Sequence, residues 1–214
     1  MEHEIKLIIF DMDGVLVDAC DWHKQALNEA LDSTCNYTIS EKDHYSIFNG
    51  LPTRIKLNKL SDMGVVPVEK HQEINQLKQA KTIEIINRSA SYDSSKVRLF
   101  SWLESKDIKI ACYTNSIRDT ATLMLRRAGV YDMLDYFITS QEVTNPKPNP
   151  EGYITVLNHF NIDPLRTIIV EDSPKGLQAA KGSGCRVMQV NNATEVNIEN
   201  IRRFINESFD TYGG

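Results

Sequence analysis

The chain has 214 residues, enough for one large domain or for a core domain with a smaller companion. Hydrophobic residues make up 41% of it, which suffices for a buried core, and the net charge of -5 argues against a general nucleic-acid-binding protein, whose surface is basic. The four cysteines show neither zinc-ligand nor C-x-x-C spacing, so we expect reduced thiols in a cytoplasmic protein. Because no apolar run has membrane-spanning length and no signal peptide is evident, we expect no membrane association.

The first predicted element is a strand over residues 6–10 that ends in Asp11-Met12-Asp13-Gly14. Alternate residues of an extended chain point to the same side, so Asp11 and Asp13 face one space, with Cα atoms about 6 to 7 Å apart. Gly14 lets the backbone turn tightly and approach a ligand. Taken alone, the two aspartates fit a turn or a helix cap equally well.

The next segment, over residues 21–88, is predicted to contain helices and no strand. A first helix is followed by a capping sequence at Ser40, by a helix that Thr53 caps, and by one long helix over residues 68–87. The apolar stripe of the long helix is predicted to be Ile74, Leu77, Ile83 and Ile86. This pattern indicates a small all-helical domain inserted into another domain.

After residue 92 the pattern alternates between helices and strands, with strands predicted over residues 108–113, 136–138, 167–170 and 186–190. Such alternation indicates βα units around a parallel sheet. In these sheets ligands bind beyond the carboxyl ends of the strands. Three strands end in polar pairs at that position, namely Asp11 and Asp13, Thr114 and Asn115, and Glu171 and Asp172.

The polar strand ends predict phosphoryl chemistry with a metal ion. Two carboxylates 4 Å apart repel each other by about 4 kcal/mol at an effective dielectric of 20, and Mg²⁺ relieves such repulsion with carboxylate, water and phosphate ligands. One carboxylate is then available to attack phosphorus and another to transfer protons. Thr114, Asn115 and Lys147 offer a hydroxyl, an amide and a point charge for a phosphate. Singly, Thr114 and Asn115 also fit a helix N-cap, and Lys147 a solvated loop.

Four stretches resemble, in order and spacing, the successive motifs of the haloacid dehalogenase-like hydrolase superfamily: Asp11-Met-Asp-Gly-Val-Leu-Val-Asp18, Tyr-Thr114-Asn115-Ser, Asn-Pro-Lys147-Pro-Asn-Pro and Val-Glu171-Asp172-Ser-Pro-Lys-Gly. The resemblance covers essentially the whole chain. The helical insertion after the first motif resembles the cap of the β-phosphoglucomutase and phosphoglycolate phosphatase branch. Dehalogenation is disfavoured, because the dehalogenase branch lacks the second aspartate.

The resemblance implies a role for each core residue. Asp11 would be the nucleophile that forms an aspartyl phosphate, and Asp13 would be the general acid and base. Thr114 and Lys147 would hold the phosphoryl group. The implied Mg²⁺ ligands are Asp11, Asp172 and the backbone carbonyl of Asp13, with Glu171 binding the ion directly or through water.

Candidate substrate-binding residues in the helical insertion are His23, Gly50 and Arg54, which lie where related caps contact substrate. Asn115 joins them as a substrate-binding residue of the core. Lys81 is a weaker candidate of the same kind as Arg54. Arg118 is another candidate for contact with the distal end of a substrate, with a solvated helix face as the alternative.

Together these features predict a doubly wound α/β core of residues 1–18 and 90–214, with a helical cap of residues 19–89. We expect a monomeric, Mg²⁺-dependent phosphatase that acts on a small phosphorylated metabolite and binds no nucleic acid. A phosphomutase of the β-phosphoglucomutase type is the alternative enzyme. A binding protein that kept the fold and lost turnover is the alternative from another class.

Overall fold

The structure, a computed structural model, describes residues 4–210. The chain divides after Asp18 and again after Ala90. The segment Ala19–Ala90 makes its contacts mainly within itself and forms a helical unit. The stretches on either side of it associate with each other and form a sheet unit.

The helical unit contains four α-helices, which are α1 (Cys20–Cys35), α2 (Glu41–Asp43), α3 (Thr53–Asp62) and α4 (His71–Ser89). A π-helical turn, His44–Phe48, follows α2, and a 3₁₀ turn, Val68–Lys70, precedes α4. The side chain of Ser40 caps α2 as predicted, whereas Thr53 is the first residue of α3 and caps nothing. The buried core of this unit comprises Leu27, Ala30, Leu31, Ile39, Phe48, Leu57, Leu60, Val66 and Ile74.

The buried face of α4 differs from its predicted apolar stripe. Leu77 and Ile83 are 37% and 40% exposed, so their placement in the stripe was wrong. The residues that are buried along this helix are Ile74, Lys78, Thr82, Ile85 and Ile86. Their spacing of three and four residues is that of one helix face. Two of the five are polar, which is why hydrophobicity alone did not find the face.

The sheet unit is built on five parallel strands, β1 (Leu7–Phe10), β2 (Lys109–Tyr113), β3 (Tyr136–Ile138), β4 (Thr167–Glu171) and β5 (Arg186–Gln189). Their spatial order is β3-β2-β1-β4-β5. The central strand β1 pairs Phe10 with Cys112 on one side and with Val170 on the other. The carboxyl ends of β1, β2 and β4 therefore lie side by side, which brings the residues that follow them to one edge.

Five helices connect or follow these strands, and they are α5 (Ser94–Glu104), α6 (Arg118–Ala128), α7 (Glu151–Phe160), α8 (Pro174–Gly182) and α9 (Ile198–Asp210). Alternate residues of β1 face opposite sides. Leu7 and Ile9 share a buried cluster with residues of α7 and α8. On the other side, Phe10 packs against Phe100 of α5, with ring centroids 5.3 Å apart.

Helices thus cover both faces of an all-parallel sheet, and the predicted fold class, a doubly wound α/β core with an inserted all-helical domain, is confirmed. Within residues 4–210, no helix combines the length and the apolar composition that crossing a membrane requires.

Candidate active site

The backbone turns tightly directly after β1. The carbonyl oxygen of Met12 accepts hydrogen bonds from the N–H groups of Leu16 and Val17, both at 2.9 Å. Gly14 has a φ of +86°, a conformation that favours glycine. A Cβ atom at Gly14 would overlap the carboxyl group of Asp172, so glycine lets that carboxyl group lie against the turn.

A buried lysine occupies the centre of the site. Lys147 is 2% exposed, and its Nζ atom donates to Oδ1 of Asp11 at 2.6 Å, to Oε1 of Glu171 at 2.6 Å and to the carbonyl oxygen of Tyr113 at 3.0 Å. These bonds use all three ammonium protons. Burial opposes the ammonium charge, but Asp11 and Glu171 outweigh it and raise the pKa of Lys147, which stays charged.

The backbone of Lys147 is held by Asn115. Oδ1 of Asn115 accepts from the Lys147 N–H at 3.1 Å, and its Nδ2 donates to the Lys147 carbonyl oxygen at 3.2 Å. The loop that follows β2 is thereby joined to the loop that carries the lysine. Asn115 thus positions Lys147, and its predicted contact with substrate stays a prediction.

Two hydroxyl groups orient the second aspartate. Oδ2 of Asp13 accepts from Oγ of Ser116 at 2.9 Å and from Oγ1 of Thr114 at 3.3 Å. Thr114 is fully buried, and its Oγ1 also accepts from the N–H of Ser116 at 3.0 Å. The role of Ser116 was missed in the sequence, although a hydroxyl residue two positions after Thr114 was a usable signal.

The acidic residues are close enough to hold a cation. One carboxylate oxygen from each of Asp11, Glu171 and Asp172 lies within 4.8 Å of the others. Burial raises the pKa of Asp172 to about 7, and the neighbouring charge of Glu171 adds to the effect. Burial and the Glu171 charge also raise the pKa of Asp11, although Lys147 opposes the shift.

Asp172 supplies the observation that tests whether a metal fits. Its Oδ1 atom is buried, and among residues 4–210 no donor bonds to it. Mg²⁺ prefers oxygen ligands, and a carboxylate oxygen that accepts no hydrogen bond, beside two further carboxylates, can serve as one. The residues present therefore fit the metal, whereas the backbone carbonyl of Asp13 as a ligand stays a prediction.

In the helical unit, His23 lies on α1 and contacts α4. Its Nδ1 atom lies 3.4 Å from Nζ of Lys78, which is 6% exposed. An ammonium group can only donate, so His23 accepts through Nδ1. Lys78 was missed in the sequence, because a lysine in a helix is normally taken as solvated.

The other predicted residues of the helical unit lie in its turns and on its surface. Gly50 turns the chain ahead of α3 with a φ of +73°. Arg54 is exposed in the first turn of α3. Lys81 is half exposed and pairs with Glu29 and Glu84, each at 3.4 Å. These ion pairs hold Lys81 at the surface of the helical unit, and its predicted contact with substrate stays a prediction.

Arg118 is engaged within the sheet unit. Its Nε donates to Oε1 of Glu142 at 2.8 Å, and its guanidinium group lies 4.9 Å from the ring centroid of Phe137. These contacts hold it at the start of α6, and its predicted contact with substrate stays a prediction.

Fold and site together define an α/β enzyme whose acidic centre lies at the carboxyl edge of its sheet. The sequence profile of the haloacid dehalogenase-like hydrolase family matches residues 8–190, and the chain belongs to this family.

Individual relatives agree with this assignment. A phosphorylated carbohydrates phosphatase from Thermotoga maritima is 27% identical over 186 residues, which cover 84% of this chain and 82% of that protein. A phosphoglycolate phosphatase from Nitrosococcus oceani is 23% identical over 201 residues, which cover 86% and 82%. The crystal structure of a β-phosphoglucomutase from Clostridium difficile superposes with a TM-score of 0.82 over 95% of this chain and 98% of that chain. At 22% identity the last likeness is one of fold alone.

These comparisons confirm the predicted superfamily and branch. They also confirm the predicted class of enzyme, a phosphatase of the haloacid dehalogenase-like type.

Proposed function

We propose that the chain is a Mg²⁺-dependent phosphatase that hydrolyses a small phosphorylated metabolite through an aspartyl-phosphate intermediate. The observation that carries the proposal is the buried bond of 2.6 Å between Lys147 Nζ and Asp11 Oδ1, with Asp13 two residues further on. The bond orients one oxygen of Asp11, and the charge of the same ammonium group would offset that of a phosphoryl oxygen.

Each proposed step uses one of these side chains. A carboxylate oxygen of Asp11 attacks phosphorus, and the bond from phosphorus to the leaving oxygen breaks. Asp13 gives that oxygen a proton, and it later takes a proton from the attacking water. The second attack breaks the bond between phosphorus and Asp11 and regenerates the carboxylate. The charge of Lys147 offsets that of the phosphoryl oxygens during both steps, and Thr114 binds one of these oxygens.

Asp11, Asp172 and the backbone carbonyl of Asp13 would hold the Mg²⁺ ion, with Glu171 as a further acidic neighbour. When bound, the ion supplies positive charge that offsets the carboxylates and the phosphate. The raised pKa values of Asp11 and Asp172 support this, because burial and the neighbouring charge of Glu171 disfavour the two ionised carboxylates, and a bound cation would offset both effects.

We assign catalysis to the sheet unit and substrate selection to the helical unit, with His23, Gly50 and Arg54 as substrate-binding residues and Lys78 added to them. Sugar phosphates are the first class to test, because the Thermotoga maritima relative is a phosphatase of phosphorylated carbohydrates. We propose that the enzyme is a monomer of the cytoplasm. The four cysteines are all free, as a reducing compartment requires.

A phosphomutase is the second candidate, because the fold superposes on that of a β-phosphoglucomutase. A mutase returns the phosphoryl group from Asp11 to an intermediate, whereas a phosphatase passes it to water.

One experiment tests both candidates. Phosphate release and sugar-phosphate isomerisation are measured in parallel on a panel of phosphorylated metabolites, with and without Mg²⁺. We expect net phosphate release that needs no bisphosphate activator. Isomerisation that outpaces release and requires a bisphosphate would establish the mutase, and no turnover of any ester would favour a binding protein.

A further inference from the structure

The carboxylate of Glu171 is surrounded by donors from the protein. It is fully buried at the end of β4. Its Oε1 accepts from Lys147 Nζ at 2.6 Å and from the hydroxyl of Tyr153 at 3.1 Å. Its Oε2 accepts from the N–H groups of Asp172 at 2.9 Å and Ser173 at 3.0 Å, and from Ser173 Oγ at 3.2 Å. An ionised carboxylate has about four lone-pair sites, so these donors use its accepting capacity.

The start of α8 also fixes this carboxylate. A Cβ atom at Gly176 would overlap the Glu171 carboxyl group, so glycine leaves the space that the group fills. Two of the donors to Oε2 are backbone N–H groups directly ahead of α8, where the helix dipole favours a negative charge. Turning Glu171 toward a metal would leave these buried donors unpaired.

The ammonium group that Glu171 holds lies close to two aromatic rings. Nζ of Lys147 is 4.8 Å from the ring centroid of Tyr113 and 5.1 Å from that of Tyr153. The rings meet edge to face, with centroids 5.0 Å apart. A Cβ atom at Gly152 would overlap the Tyr113 ring, so glycine makes room for it. Cation–π attraction therefore adds to the charged bonds.

Asp172 contrasts with its neighbour. Its Oδ1 is buried and receives no hydrogen bond from residues 4–210, whereas both oxygens of Glu171 are bonded. We infer that Glu171, with Tyr153, is a positioning residue that holds Lys147 against Asp11, and that it is not a direct ligand of the metal. The inference rests on the proposed phosphatase function. It assigns metal binding to Asp11 and Asp172, and it assigns the positioning of Lys147 to Glu171.

The first test observes the lysine directly and needs neither metal nor turnover. Protein labelled with ¹⁵N at lysine Nζ is examined by NMR, and the Lys147 signal is assigned by its loss in Lys147→Arg. We expect a slowly exchanging ammonium signal in the wild type and in Asp172→Asn. The signal should broaden or disappear in Glu171→Gln and in Tyr153→Phe, and its persistence in both would overturn the inference.

The second test measures the metal distance. In a crystal structure of the Mg²⁺ complex, we expect both Glu171 oxygens to lie well beyond the ligand distance of about 2.1 Å, and an oxygen of Asp172 to lie at it. A Glu171 oxygen at ligand distance would overturn the inference. Both tests remain decisive if the wild type hydrolyses no ester, a result that would count against the proposed function alone.

Kinetics supply the third test. Tyr153→Phe removes one hydrogen bond to Glu171 and keeps the ring. We expect kcat to fall about tenfold with KM changed less than about twofold, because the lost contact acts on Lys147 rather than on substrate binding. Tyr136→Phe, which removes a hydroxyl from a ring stacked on His159, is the matched control and should leave kcat unchanged. An unchanged kcat in folded Tyr153→Phe would contradict the role of the tyrosine, and thermal unfolding of each variant verifies that it folds.

Discussion

Nζ of Lys147 lies 2.6 Å from Oδ1 of Asp11, although 136 positions separate the two residues in the chain. The contact exists because β1 pairs with β2, whose following loop binds the Lys147 backbone through Asn115. A parallel sheet thus brings the proposed nucleophile and a cation together from distant parts of the sequence.

The first prediction concerns the nucleophile. Asp11→Asn keeps the shape of the side chain and removes the attacking charge, so phosphate release should fall by several orders of magnitude. Asp132→Asn changes an exposed aspartate of the same unit and should leave the rate unchanged. Rates are measured with the best substrate of the panel, and circular dichroism verifies the fold. Near-normal turnover in folded Asp11→Asn would exclude the covalent mechanism.

The second prediction concerns the metal. A chelator should abolish phosphate release and Mg²⁺ should restore it. Ca²⁺ should restore it poorly, because its longer, looser coordination misplaces the reacting groups. In Asp172→Asn the Mg²⁺ concentration for half-maximal activity should rise at least about tenfold, since one ligand charge is lost. Activity that a chelator does not change would contradict the proposal that Asp11 and Asp172 hold a metal ion needed for catalysis.

The third prediction concerns the orientation of Asp13. Ser116→Ala removes the shorter of its two hydroxyl contacts. A hydrogen bond to a charged group is worth about 1.5 to 3 kcal/mol, so kcat should fall about tenfold or more. Ser101→Ala changes an exposed serine of α5 and is the control. If both serine variants turn over equally fast, Thr114 alone suffices to orient Asp13.

The sheet unit was predictable because its signals are local and strong. Apolar runs bounded by polar residues give the strands, and the carboxyl-end rule places Asp11, Thr114 and Asp172 at one edge before any contact is known. The hydroxyl groups of Ser116 and Tyr153 were missed. Their contacts with Asp13 and Glu171 form where loops and the start of a helix come together in space. No periodic pattern in the sequence indicates such contacts.

The helical unit was less predictable in its detail. The existence of α4 follows from its periodicity, but its buried face includes Lys78 and Thr82, whereas apolar Leu77 lies 37% exposed. A stripe drawn through apolar residues alone therefore finds Ile74 and Ile86 but also includes Leu77 and Ile83, which lie off the buried face. The burial of Lys78 is explained by its contact with His23, which the sequence does not reveal.

The fourth prediction concerns acid stability. Burial and the nearby charge of Lys56 lower the pKa of His44 to about 4. The unfolded histidine titrates near 6.5, so between about pH 6.5 and 4 the unfolded chain binds a proton that the folded chain does not. Stability should therefore fall on acidification through this range, by at most about 3 kcal/mol from His44.

Urea unfolding at about pH 7 and about pH 4.5 measures this loss of stability. His44→Gln should lose less free energy of unfolding than the wild type between the two conditions. His159→Gln changes an exposed histidine and should lose as much as the wild type. Equal losses in all three proteins would show that His44 does not contribute.

The fifth prediction separates two lysines of α4 that lie three positions apart. Lys78 is 6% exposed and contacts His23, a proposed substrate-binding residue, whereas Lys81 is half exposed and pairs with acids at the surface. Methionine keeps most of the length of either side chain, which is one heavy atom longer in lysine, and removes the charge. Lys78→Met should lower kcat/KM about tenfold, because His23 loses the donor that fixes its ring. Lys81→Met should change it less than about twofold, since exposed ion pairs contribute little.

Steady-state kinetics on the best substrate compares the two variants, and thermal unfolding verifies that each of them folds. A larger loss in Lys81→Met than in Lys78→Met would return the substrate-binding role to the surface residue and leave the buried lysine with a purely structural one.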